Sequence, residues 1–473
     1  MHNMLNREIS DQQLQRTLET LKNGNNEEIS DLLNNLESKN IDYNLIQIIS
    51  GFIEHSDKGI RNAAANYILK NRNLRFPFFI IPFIKSNDIS VRNLAGEILI
   101  NLGSLSVDAI IQVDTKNNND HIKFIIDVLG LIGDQRASLF IMGVLSSSED
   151  DNVILACIEA LGNLQVQNYV DVLILFYDRN DLYKPVVVEA LGKIGSKTAL
   201  NFLISRFQNE DEITKYSILE SLGSLGDIDT FFFLLEQINF VNGPLVLALI
   251  SSIFMLREKF NLDIPFDNRM KNLLLYAIQK GTMEHKKIAF SMINSFDDKD
   301  ILGASLTLLG EDFELDDMIK NKLFNNIEFI YHEIFRIVNP QLPNLRQVLN
   351  LFIEIINYVH EYDVRLNISM LDTRYIANSI SGFLNHHDEE VRRYAMEILF
   401  NIDQESAILF ADSMLNDESA WNRLRLLEML EKVPDQSPEP IIEKLMKDED
   451  DMVRERAAII KNLRVNNFST TLN

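Results

Sequence analysis

Apolar residues return along this chain with two nested periods. The short period is helical. In Val153-Ile-Leu-Ala-Cys157-Ile-Glu-Ala160-Leu161-Gly-Asn-Leu164 the apolar sites fall zero, four, seven, eight and eleven residues from Val153, along one face of an α-helix. The long period is a repeat of about 31 residues. Taking Val153 as position zero of its copy, the equivalent sites are Ile60, Val91, His121, Val153, Tyr183, Thr214 and Leu245, spaced by 31, 30, 32, 30, 31 and 31 residues. The pattern returns at Val391, Asn422 and Val453, spaced by 31 and 31.

Each copy carries its own punctuation. An Asp or Asn stands three residues before position zero at Asp57, Asp88, Asn118, Asp150, Asn180, Asp211, Asn242, Asp388 and Asp450, where a turn must end and a helix begin. Glycine falls at position nine (Gly130, Gly162, Gly192, Gly223) or twelve (Gly103, Gly133, Gly195, Gly226), closing the helix or allowing a tight approach. Small residues at positions four and seven, such as Ala95, Cys157, Ala160 and Ala190, suit close packing of neighbouring helices. Between copies runs a second apolar helix, as in Ala199-Leu-Asn-Phe-Leu-Ile-Ser-Arg-Phe207. Two helices and two turns per period predict an all-α chain, an α-solenoid of about fourteen stacked hairpins.

The pattern lapses in one region. After Leu245 the next unit opens near His285, and Lys259–Asn268 between them reads as a long loop. From His285 to Val391 the periodicity stays helical, as in Leu345–Ile356, without the repeat's signature and with a break at Pro340 and Pro343. That leaves room for about three degenerate units, either a hinge or a place where function has displaced the consensus. The organisation predicted is 1–45 N-terminal capping helices, 46–256 regular repeats, 257–384 degenerate repeats with the inserted loop, 385–465 regular repeats, and 466–473 a frayed tail.

Composition narrows the function classes. The 473 residues hold 69 acidic and 45 basic side chains, a net charge of −24. Such a field repels nucleic-acid backbones and anionic membranes and favours basic partners. With 46% hydrophobic residues the chain can bury a continuous core, and 18 Gly and 10 Pro are too few for an all-β protein of this length. Cys157 is the only cysteine, which excludes an internal disulfide and a Cys-based zinc site and fits a reducing compartment. The N-terminal residues lack the apolar stretch of a secretory signal. The longest apolar run, Phe76–Ile84, is too short to span a membrane. A cytoplasmic protein is expected.

The copies Asp88-Ile-Ser-Val91-Arg92-Asn-Leu-Ala95, Asp388-Glu-Glu-Val391-Arg392-Arg-Tyr-Ala395 and Asp450-Asp-Met-Val453-Arg454-Glu-Arg-Ala457 resemble the HEAT-like repeat of bacterial proteins, the variant also seen in phycobilisome lyases. The resemblance covers about residues 55–255 and 385–465. It implies helical hairpins whose second helix, the one carrying Val-Arg, lines the concave face of a right-handed superhelix. It also implies a binding surface rather than chemistry, with the position-six acid paired to the base at position one.

The candidate binding residues are a column of acids at position six: Glu97, Asp127, Glu159, Glu189 and Glu220, with Glu397 and Glu428 in the later copies. Positions zero, four, seven and eleven are buried, so position six faces outward, one carboxylate per repeat. Position one is basic at Arg92, Lys184, Lys215, Arg392, Arg423 and Arg454 but apolar at Ile122 and Ile154, beside Asp127 and Glu159. The column reads as a stripe for a basic protein partner or as ordinary consensus.

Other chemistry is weaker. His332-Glu333 and His360-Glu361 echo the iron-binding pairs of a HEAT-like hydroxylase family, but that family uses four. Leu191–Thr198 lacks the frame of a phosphate loop. The reading is a non-catalytic interaction scaffold, in a regulatory or signalling role, with no cofactor, no metal and no catalytic residues. An enzyme on the same scaffold, bilin lyase-like or di-iron hydroxylase-like, is the alternative.

Overall fold

The computed structural model describes residues 11–36, 42–113, 118–264, 267–293, 298–366, 370–434 and 437–471. Among these every regular element is an α-helix or a short 3₁₀ turn, arranged as an α-solenoid of stacked hairpins. The chain forms two compact units, one made of Met1–Glu236 with Met255–Asn261, the other of Gln237–Phe254 with Leu262–Asn473.

In the first unit the second helices of successive repeats are α1 (Lys58–Asn71), α2 (Ile89–Leu102), α3 (Asn119–Ile132), α4 (Asp151–Asn163), α5 (Lys184–Ile194) and α6 (Glu212–Leu225). In the second unit they are α7 (Glu389–Ile402), α8 (Ala420–Glu431) and α9 (Asp451–Thr471). Each packs on the next within its unit, and on the shorter helix that precedes it in its own hairpin, as Ser138–Ser147 does on α4. The buried residues follow the predicted columns: Val153, Cys157, Ala160 and Leu161 in α4 with Leu164 just past its end, and Val391, Ala395, Ile398 and Leu399 in α7. Burial pushes the Cys157 thiol up to about 12, so it behaves as a small apolar residue.

Eight of the nine expected caps are in place, Asn242 making no cap bond among the described residues before Leu245–Phe260. Asp57, Asp88, Asn118, Asp150, Asn180, Asp211, Asp388 and Asp450 each accept a backbone N–H from the first turn of the helix or 3₁₀ turn that follows. A further layer lies beneath them. The side chain five residues before position zero accepts the N–H of the cap residue itself, from His55, Ser86, Ser148, His386 and Asp448. In the Asn422 copy Asp417 does the same for Ser419. The turns opened by His55, Ser86, Ser148, His386 and Asp448 are thus wound by two successive side-chain acceptors.

Glycine at position nine sets how closely the second helices approach. A Cβ on Gly130 would lie 2.9 Å from the Cβ of Ala160, one on Gly162 2.7 Å from the Cα of Ala190, and one on Gly192 2.7 Å from Oγ of Ser221. Every opposing residue is position seven of the next copy. Position twelve differs in role: Gly133 and Gly195 end their helices at φ of 70° and 76°, the left-handed region.

The lapsed region is helical throughout its described part. Helices Lys299–Leu306, Phe313–Phe324, Ile327–Ile337, Leu345–Glu361 and Met370–Ser381 lead to α7, with Pro340 and Pro343 in the break between the third and fourth. Asn268–Lys280 and Met283–Met292 precede them; of the expected loop, Pro265 and Phe266 lie outside the described residues. Near the N-terminus Asp11–Asn23 and Asn26–Asn35 are helical, the latter opened by an Asn25–Glu28 capping box, while residues 1–10 and 37–41 are not described. The last helix, α9, runs on to Thr471, past residue 465, where the sequence reading ends the array.

Because an added methyl at Gly162 meets backbone, Gly162→Ala should destabilise the fold by about 1–3 kcal/mol. Gly143 sits in a helix with nothing within 4 Å of its would-be Cβ, so Gly143→Ala should gain up to about 1 kcal/mol. Urea unfolding of both variants measures this; Gly162→Ala as stable as Gly143→Ala would refute the close-approach account.

Candidate protein-binding interface

Position six is where the sequence places it. Glu97, Glu159, Glu189 and Glu220 are exposed and Asp127 is half-buried, one on each of α2 to α6, which pack in that order. Glu97 and Glu159 have no ion pair among the described residues. Asp127 pairs with Lys123 at 2.7 Å and Glu189 with Lys193 at 2.6 Å, both exposed contacts within one helix and worth little. Glu220 lies near the Tyr216 hydroxyl, whose pKa is raised first by partial burial and then by the charge of that carboxylate.

The same column is neutralised in the second unit. Arg425, three residues after Asn422, donates to Glu397 of the preceding copy at 2.7 Å and to Glu428 of its own at 2.5 Å. Arg456 at the equivalent site meets Glu431 at 2.9 Å. In the first unit position three carries Leu94, Phe124, Ala156, Val186 and Ser217, so no cation stands there.

The expected pairing of position one with position six does not occur. Four position-one bases turn the other way, toward the start of the helix. Arg61, Arg392, Arg423 and Arg454 all donate to the carbonyl six residues back, those of His55, His386, Asp417 and Asp448. Three position-one bases also reach the next repeat. Arg392 holds Asp417 at 2.7 and 3.0 Å, Arg423 holds Asp448 at 2.8 and 2.9 Å, and Lys184 holds Glu210 at 2.8 Å. A guanidinium at position one lies one residue past the first buried site, and its stem runs along the turn rather than toward the second turn of the helix. Ile122 and Ile154 therefore do not strip Asp127 and Glu159 of partners; they leave the junction to the next repeat without a position-one cation.

An apolar row that the sequence reading passed over accompanies the acids. One residue before and two after position zero lie on the same helical face as position six, since seven residues make nearly two turns. Leu182 is 52%, Ile213 71% and Tyr216 38% exposed, while Leu155 and Pro185 are half-buried. At the start of α6, and in the 3₁₀ turn that opens α5, the open face therefore carries apolar side chains, with carboxylates one to two turns further on; α4 adds the half-buried Leu155 beside the polar Asn152. The signal was available as a column of apolar residues where a surface helix usually carries polar ones.

Glu333 is buried and bound by Lys299 at 2.9 Å and Arg336 at 2.7 Å, and His360 with Glu361 is exposed at the end of its helix. No group of three His, Cys, Asp or Glu side chains is placed to hold a metal ion among the described residues. No described helix is long and apolar enough to cross a membrane.

No protein-family model matches the sequence, and no curated protein matches it. Among solved structures the chain is similar to Kap121p, at 11% identity and a TM-score of 0.39 over 92% of this chain. It is also similar to importin beta in two crystal forms, at 13% identity with TM-scores of 0.36 and 0.39 over 95% and 88% of this chain. The chain spans 58% of the Kap121p chain and 67% and 64% of the two importin beta chains. The fold and the surface described above rest on this chain's own residues.

The second-unit clamps are buried: side-chain exposure is 6% and 7% for Arg423 and Asp448, and 11% and 6% for Arg392 and Asp417. Burial raises the Asp417 and Asp448 carboxyls most. The arginine and backbone hydrogen bonds outweigh it, so both pKa values end below the usual carboxylate range. Stability from these pairs is present above the unfolded carboxylate pKa near about 4 and lost as pH falls through the lower folded values. Arg423→Ala should cost about 3–5 kcal/mol by stranding Asp448, whereas Arg61→Ala, which loses only carbonyl contacts, should cost about 1 kcal/mol. Denaturant titrations at neutral and at acid pH check both; equal losses for the two variants, or an Arg423 loss that persists in acid, would contradict the assignment.

Proposed function

We propose that this protein is a non-catalytic scaffold that binds a basic protein segment along the open face of α2 to α6. The observation that carries the reading is the difference between the two units at position six. In the second unit internal arginines neutralise Glu397 and Glu428; in the first unit Glu97 and Glu159 have no ion pair among the described residues, and Asp127 and Glu189 have only exposed ones. Fold stability does not require such acids, because exposed pairs contribute only about 0–1 kcal/mol. A column of acids on five successive helices, held by at most an exposed lysine of its own helix, is suited to an external cation.

The apolar row on α4, α5 and α6 makes the reading more specific. Leu182, Ile213 and Tyr216 beside Glu189 and Glu220 match a segment with one apolar and one basic face. Carboxylates would steer the encounter and fix the register, and the apolar row would hold the complex once formed. The net charge of −24 adds long-range attraction for such a partner.

Calorimetric titration with a hexa-arginine peptide at low salt tests the reading. Reversing Asp127, Glu159 and Glu189 together to Lys should lower the affinity by about tenfold or more. Reversing Glu361, Glu405 and Glu455, exposed acids of the second unit, should leave it nearly unchanged. Equal losses for both triple variants would show that only net charge matters, and the assigned face would be wrong.

A further inference from the structure

The cleft between the start of one second helix and the turn that opens the next repeat is filled from within at three junctions. Lys184 fills it between α5 and α6, Arg392 between α7 and α8, and Arg423 between α8 and α9. Each comes from position one, and each ends on an acid four or five residues before the next position zero: Glu210, Asp417 and Asp448.

Between α3 and α4 the acid is present and the cation is not. Position one is Ile122, which stops short. Glu149 occupies the place of Glu210, is exposed, and has no hydrogen bond or ion pair to another described residue. What remains is an open cavity of about 600 Å³ lined by Asn119, Ile122, Val144, Ser147, Glu149 and Asp150. The equivalent cleft at the α7–α8 junction, with Arg392 in place, measures about 350 Å³ and is lined at matching register by Ser413, Asn416, Asp417 and Glu418.

We propose that this cleft is a socket for a cationic side chain of a bound protein segment, the guanidinium of an arginine or the ammonium of a lysine. The proposal rests on the basic-partner reading above and gives that partner an anchoring point. The lining fits the chemistry. Ile122 and Val144 offer apolar walls to a methylene stem, and Glu149 takes the charged head as Glu210 takes Lys184. Asp150 adds a second carboxylate beside it. It already accepts from Asn119 at 2.9 Å and from two backbone N–H groups, which fixes its position without neutralising its charge. The cleft opens at the start of α4, the helix that carries Glu159, so a segment lying on the acids can turn one long side chain into it.

Titration of the full chain with hexa-arginine, with hexa-lysine as the second arm, tests the socket. Ile122→Arg supplies the missing cation from within; it should raise the melting temperature and weaken peptide binding about tenfold, and Glu149→Gln should weaken it by a similar factor. Ile122→Met, which adds length without charge, should bind as the unaltered chain does. If Ile122→Arg and Glu149→Gln both bind as the unaltered chain while a Glu159→Gln, Glu189→Gln, Glu220→Gln variant binds weakly, the socket is wrong and the acidic face stands. If the socket variants lose binding and the triple variant does not, the socket stands and the face is wrong. Unchanged binding in all of them would overturn both. Should Ile122→Arg fail to fold by circular dichroism, Glu149→Gln decides the matter alone.

Discussion

The close approach of successive second helices at position nine constrains everything else in the first unit. Where Gly130, Gly162 and Gly192 meet Ala160, Ala190 and Ser221, one helix backbone rests directly on the next. Backbone contact at one point on each helix fixes the rise from repeat to repeat, and with it the register of every other column. The buried sites at zero, four, seven and eleven then meet their counterparts along the whole stack. The exposed sites at minus one, two and six form rows for the same reason. A binding surface built from one residue per helix needs that regularity, because its spacing is inherited from the core rather than set by its own contacts. The polar network at Ser221, whose Oγ donates to Val188 of the preceding repeat, shows that the small position can carry a cross-link as well as a contact.

A second constraint is electrostatic and acts at the turns. Each turn collects oriented groups: an acceptor at minus five, a cap at minus three, and free carbonyls from the helix just ended. A base at position one is the residue placed to satisfy those carbonyls, and where the next repeat offers an acid it also ties two hairpins together. The second unit uses this device in series, from Arg392 through Asp417 to Arg423 and on through Asp448 to Arg454. The first unit relies more on glycine packing and uses the clamp at Lys184. Both serve to join repeats, but only the clamp removes charge from the junction. In the unit that relies on packing, Glu97 and Glu159 have no ion pair among the described residues, whereas in the unit that relies on arginines Glu397 and Glu428 are engaged by Arg425.

Most of the architecture was legible because its causes are local. Helical spacing, a cap at minus three and glycine at twelve each act within one turn of chain, so the columns at Asp88, Asp150 and Gly195 could be read without any partner. The pairing of position one could not. Arg392 and Asp417 are 25 residues apart, and which neighbour a long side chain chooses depends on the path of its stem along the turn. Borrowing the pairing from the resemblance sent the base toward position six, within the same helix, when the geometry sends it to the previous turn and the next repeat. The apolar row was missed for a related reason. Leu182 and Ile213 read as helix-start residues in a copy taken alone, and become a surface only when α5 and α6 are set side by side.

The lapses in a repeat are informative once the role of each column is known. Ile122 is ordinary as an apolar residue in an apolar helix, and its neighbour Asp127 has its own lysine. It gains meaning from Lys184, Arg392 and Arg423, which show what position one does at the same junction. A column that carries stability tolerates loss only where something else replaces the lost interaction. At the α3–α4 junction Gly130 packs against Ala160 without a clamp beside it, and the acid there is free for another use. The α4–α5 junction makes the contrast: Gly162 packs on Ala190, position one is the buried Ile154, and the acid at minus five, Asp178, already has Arg206 at 2.8 Å. Two neighbouring junctions lack the same base, and only one of them is left with an unpaired carboxylate beside an open cleft. That difference, rather than the missing base itself, is what distinguishes a site from a drifted consensus.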